Sequence, residues 1–270
     1  MLSWVRFSVG LAASFYVLMT FSLFVHEVLG HGVAWAVFGA RRLVVSVGPG
    51  FAGYVRGDHD PAPLARQVII FAGIGANTLV GLGALAVARW RRPSLTPLGL
   101  ALFWVVTTEL GQALGYTLMG IVFNQGDAEN LPLAWARWPL AAVVLVLFLA
   151  MANWSLNTIA RFVCEHFQPP DLRALRRTFV LGFGLPLGAI VVLAPGYPGR
   201  ELWTIVAFDA AILAVLAAGT FWMVRRMPAE SEKRGHPITW GEASAWGAAA
   251  LATFFVTWRW LDSGIVVPLR

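Results

Sequence analysis

Charge and sulfur are what this chain has least of. Only 13% of its 270 residues are Asp, Glu, Lys or Arg, and a single residue, Cys164, is a cysteine. A lone cysteine excludes an intramolecular disulfide and a thiolate metal cluster, and says nothing more about compartment. Scarce charge, together with 58% hydrophobic residues and a mean hydropathy of +0.69, excludes an ordinary soluble globular domain. No polar stretch is long enough for a soluble domain or linker, and no internal repeat stands out. The net charge of +6 is almost wholly arginine in short loops between apolar runs. Membrane topology explains that placement better than nucleic-acid binding does.

What is present is a series of apolar segments. Seven of them, at about 7–38, 67–88, 97–123, 139–159, 178–195, 203–224 and 241–258, approach the roughly 20 residues needed to cross about 30 Å of hydrocarbon. The expected fold is an all-α polytopic membrane protein with about seven transmembrane helices. The first segment follows Arg6 in the manner of a signal peptide, but it continues to Ala36 without a clean cleavage site and reads as a retained helix. Arginines near Arg6, Arg89, Arg161 and Arg173 favour a cytoplasmic N-terminal side, whereas Arg41, Arg42, Arg56 and Arg66 pull the other way. Orientation therefore stays open.

After Arg41 and Arg42, the stretch LVVSVGPGFAGYVRG (43–57) alternates β-branched or aromatic residues with small ones around a Gly-Pro-Gly turn. It reads as a β-hairpin associated with the membrane, its backbone groups paired with each other or packed on protein.

The first segment itself contains HEVLGH, residues 26–31. In the zinc-peptidase pattern H-E-x-x-H, two histidines four residues apart on a helix reach one metal, and the glutamate activates water. Here the spacing is one residue longer, and five residues turn an ideal α-helix by about 140°, which points the histidines apart. A π-bulge absorbs one extra residue, and Gly30 is a natural place for it. Lone histidines in membrane helices are often packing residues. Three ionisable groups in six positions are harder to dismiss, since each costs about 2.5–3.5 kcal/mol or less to insert at a helix centre and such groups line sites or pathways.

On these residues the sequence resembles the site-two protease family of intramembrane zinc metallopeptidases, as a divergent bacterial-type relative. HEVLGHGVAWAVFGARRLVVSVGPGFAGYV is similar to that family's zinc-binding helix followed by a membrane-associated hairpin with an S-x-G-x-G stretch, here SVGPG. FAGIGANTLVG (71–81) resembles its A-G-P-x-x-N helix, with Ile74 in place of proline and Asn77 at the expected position. GDAENLPLA (126–134) looks like its S-D-A-x-x-L-A stretch, without the L-D-G form found elsewhere in the family. The longer H-E-x-x-G-H spacing also occurs in the soluble dipeptidyl peptidase III family, itself zinc-dependent. The likeness spans about residues 15–135 and implies a catalytic core at 1–135 with an additional four-helix region at 136–270.

The resemblance further implies Zn2+ held by His26, His31 and Asp127, with Glu27 as general base and Asn77 binding substrate or oxyanion. The implied activity is hydrolysis of peptide bonds in membrane-embedded or membrane-adjacent proteins, in a prokaryotic cytoplasmic membrane. Its partners are a membrane protein or peptide substrate and the lipid bilayer, with no nucleic acid. Two other readings compete: an inactive homologue that binds membrane proteins as a scaffold, and an ion or proton transporter, although no paired broken helices mark one. Beyond the motif, Glu109, Gln112 and Tyr116 fall on one face of the third span, where a structural network and a catalytic role are about equally expected. Asp209 is a minor candidate ligand or histidine partner, His59 reads as a solvated loop residue, and WLDSG (260–264) is set aside because it follows the last span.

Overall fold

The computed structural model describes residues 3–51, 53–123, 137–167, 173, 176–177, 218–220, 222–224 and 237–269. Apolar length dictates most of it. α1 (Ser3–Phe24) runs directly into a π-helical segment, Val25–Gly32, and then a short α2 (Val33–Val37). Together these make one of four helices long and apolar enough to cross a membrane. The others are α3 (Pro63–Arg91), α4 (Pro97–Phe123) and α5 (Arg137–His166). Proline opens both α3 and α4, where its missing N–H costs nothing.

Four candidate spans are thus present among the described residues, and the expected count of seven is not confirmed. The segments expected at 178–195 and 203–224 lie almost wholly outside the described residues. The last expected segment is a 17-residue helix, α6 (Trp240–Val256), extended by a π-helical turn at Thr257–Leu261. Thr239 caps α6 reciprocally: its hydroxyl accepts from the Glu242 N–H at 3.2 Å, and the Glu242 carboxylate accepts from the Thr239 N–H at 2.8 Å.

The hairpin forms where expected. β1 (Arg42–Val47) pairs antiparallel with β2 (Gly53–Gly57), in a register running from Leu43↔Gly57 to Val47↔Gly53. Phe51, at φ 62°, turns the chain in a left-handed conformation unusual for an aromatic residue. A third strand joins it: β3 (Ile265–Pro268) pairs antiparallel with the other edge of β1, giving the order β2-β1-β3. The two-stranded hairpin of the sequence reading is therefore part of a three-stranded sheet with β1 in the middle.

By packing, the chain divides into two compact units that cut across sequence order. Residues 1–18, 87–104 and 152–252 form one, and residues 19–86, 105–151 and 253–270 the other. In the first, aromatic rings interlock: Phe103 meets Trp104, Trp154 and Phe162, and Phe7 meets His166 and Phe167. In the second, Ala40, Leu43, Val45 and Val55 bury one face of the sheet against Val28 and Trp35, with Leu269 closing the cluster. The sheet thus lies directly on the π-helical segment that carries the histidines.

Candidate metal centre

The extra residue between the histidines is absorbed as the spacing requires, by π-helix from Val25 to Gly32. His26, Glu27 and His31 are all buried, and one ligand atom from each lies within 4.8 Å of the others. The imidazole rings meet edge to face with centroids 4.9 Å apart.

Gly73 on α3 marks where they converge. A Cβ at this glycine would stand 2.6 Å from His26 Nε2 and 2.7 Å from His31 Nε2. Both nitrogens thus aim at a space that exists because residue 73 has no side chain. Gly30 makes the approach possible from the other side, since a Cβ there would lie 2.5 Å from the Gly73 Cα. Its φ is not positive, so the π-bulge does not demand glycine; the close helix crossing does.

Orientation of His31 is fixed by its second nitrogen. Nδ1 lies 2.6 Å from the Ile69 carbonyl oxygen, which can only accept, so Nδ1 carries the proton and Nε2 keeps its lone pair. Glu27 is held against the start of β2, where a Cβ on Gly53 would come 3.0 Å from Glu27 Cγ. The hairpin therefore forms a wall of the site. Two imidazole nitrogens and a carboxylate around one cleared space are a donor set suited to zinc or another divalent transition metal.

No family model, no curated protein and no solved structure matches this chain. The likeness to site-two proteases therefore rests on the motifs alone.

The other expected residues are placed unevenly. Asn77 lies one turn beyond Gly73 on α3, fully buried, and its amide donates to Gln112 Oε1 at 2.8 Å. Tyr116 stacks at a tilt on His26, with centroids 5.1 Å apart. Glu109 and Gln112 are buried, so the polar stripe of α4 faces the protein interior as expected. Asp127 and Asp209 lie outside the described residues. His59 is a loop residue beside Trp35 and Asp58. The Arg41 backbone N–H donates to Asp58 and holds its carboxyl below the usual aspartate range, with His59 adding to the effect. Asp262, in the discarded WLDSG stretch, accepts a hydrogen bond from Ser46 Oγ at 3.1 Å through its backbone oxygen. Sequence reasoning missed Gly73, whose signal lay inside the AGIGAN stretch but named no role.

Proposed function

We propose that the protein is an intramembrane zinc metalloprotease that hydrolyses peptide bonds of membrane-embedded or membrane-adjacent substrates. The observation that carries this reading is the convergence of both Nε2 atoms on the cleared space at Gly73, with the Glu27 carboxylate beside it. His26 and His31 would hold the metal, with Asp127 proposed as third ligand from the sequence pattern. Zinc at such a site lowers the pKa of water and polarises a carbonyl. Glu27, the carboxylate adjacent to the pair, takes the proton from the attacking water and returns it to the leaving amine. The Ile69 carbonyl keeps His31 in the tautomer whose lone pair sits on Nε2.

Substrate positioning falls to the sheet. Because β3 occupies one edge of β1, an extended peptide adds at an outer edge of the three-stranded sheet, and β2 is the strand that touches Glu27. Pairing there would hold a substrate segment unwound, as cleavage of an otherwise helical membrane peptide requires.

Two measurements test the proposal. Elemental analysis of chelator-free protein is expected to give about one zinc per chain, lost in His31→Ala and sharply reduced in Asp127→Asn. Glu27→Gln is expected to keep the metal and lower cleavage by about 10²–10⁴-fold. A well-folded wild type without metal would refute the reading, and full cleavage by Glu27→Gln would remove Glu27 from the mechanism.

A further inference from the structure

Two imidazoles meet at the cleared space, and they are held by different means. His31 is pinned through Nδ1, 2.6 Å from the Ile69 carbonyl oxygen. His26 is met by rings. Its centroid lies 4.9 Å from that of His31 at an interplanar angle of 84°, and 5.1 Å from that of Tyr116 at 39°. Both separations fall in the range of about 4.5–7 Å at which edge-on or offset rings attract one another. The tilted contact with Tyr116 comes nearer to face against face. It is therefore the one that a turn of the imidazole about its Cβ–Cγ bond would open.

That turn matters because a Gly73 Cβ would stand 2.6 Å from His26 Nε2 and 2.7 Å from His26 Cε1. A half-turn of the ring exchanges these two atoms and puts a C–H where the lone pair was. Tyr116 obstructs the orientations through which the ring must pass.

Tyr116 can act as a fixed surface because α4 is tied to the same helices that define the space. Gln112, four residues earlier and so on the same face of α4, is buried. It accepts from the Asn77 amide at 2.8 Å and donates to Met19 Sδ at 3.4 Å. Asn77 follows Gly73 by four residues on α3, and Met19 precedes His26 by seven on the first span. A slide or roll of α4 that carried Tyr116 away from His26 would break both bonds.

We propose that Tyr116 is the positioning residue of His26: its ring holds the imidazole in the plane from which Nε2 reaches the space at Gly73, as the Ile69 carbonyl does for His31. The inference rests on the metal-binding part of the proposed function and does not require cleavage. The ring face carries the effect, so phenylalanine serves as well as tyrosine.

The test is a zinc titration of the full chain in detergent against a chromogenic chelator, with the visible spectrum of the cobalt-substituted protein and the melting temperature recorded for each variant. Tyr116→Phe is expected to bind zinc as tightly as wild type and to keep its cobalt spectrum. Tyr116→Leu, which removes the ring and keeps apolar bulk, is expected to weaken zinc binding by about 10–100-fold, the usual loss when a ligand's orienting partner is removed. Its cobalt bands should shift. Leu114→Ala, in the packing of α4 around Ile121, Ala141 and Val144, should lower the melting temperature and leave zinc affinity unchanged. Wild-type affinity and spectrum in Tyr116→Leu overturn the assignment. So does a Tyr116→Phe as weak as Tyr116→Leu, which would give the effect to the hydroxyl, or an equal weakening in Leu114→Ala. A wild type that binds neither metal overturns the metal centre and this inference with it. Failure at Tyr116 beside a His31→Ala that loses zinc overturns this inference alone.

Discussion

The two compact units treat buried polar groups in opposite ways. In the aromatic unit, Trp104 Nε1 donates to Ser14 Oγ at 3.0 Å, and His166 is fully engaged, with Nε2 to the Ser3 carbonyl at 2.8 Å and Nδ1 accepting from the Ile238 N–H at 3.2 Å. Apart from Arg6 Nε, its described buried side chains have partners for their polar atoms. In the unit that carries the histidines, four oxygens of Ser22, Asn77 and Glu109 remain without a hydrogen bond, and two glycines clear a space for imidazole nitrogens. A histidine with both nitrogens satisfied by backbone, such as His166, is a packing residue. One whose second nitrogen is pinned so that the first points into a cleared space, such as His31, is built to bind something.

The strongest way to break this contrast is a single methyl group. Gly73→Ala places a Cβ about where both Nε2 atoms converge, and it is expected to abolish metal binding, read as zinc per chain. Gly75→Ala, two residues on in the same helix, meets nothing within 4 Å and should leave zinc unchanged. Equal loss in both variants would mean that helix α3 responds to any added bulk rather than to bulk at the site.

A smaller but substantial effect should come from the other unit. Phe103 is fully buried among aromatic neighbours, and Phe103→Ala is expected to lower stability by about 3–5 kcal/mol in denaturant unfolding. Zinc per folded chain should not change. Loss of metal in this variant would show that the aromatic unit is energetically part of the site.

The smallest effect concerns the loop after the hairpin. Asp58 has a lowered pKa because the Arg41 N–H donates to its carboxylate. Its contribution is present above the unfolded value near 3.8 and is lost as pH falls through the lower folded value. Asp58→Asn should therefore flatten the most acidic part of the stability profile slightly, and leave the profile near neutrality alone. The exposed position keeps the effect small.

Much of the site was legible because its irregularity was itself the signal. One surplus residue between two histidines has few helical solutions, so the π-helix at Val25–Gly32 could be anticipated from spacing. The hairpin was legible from alternation around SVGPG. Gly73 was not, because a glycine in an apolar helix has many explanations and only the position of its neighbours selects one. β3 was equally hidden: IVVP follows the last apolar segment, and no local pattern announces that it will pair with Arg42–Val45. Non-local strand pairing is what sequence periodicity reports least well.

That pairing also imposes an order in time. Ser46 and Asp262, which join the hairpin to the approach of β3, are 216 residues apart. At about 5–20 residues per second, a ribosome that has finished β1 needs roughly ten to forty seconds more before β3 exists. Throughout that interval a nascent chain already holds both histidines and the glutamate while one edge of its central strand stays open. The three-stranded sheet is thus completed late, long after the hairpin that walls the site has been made.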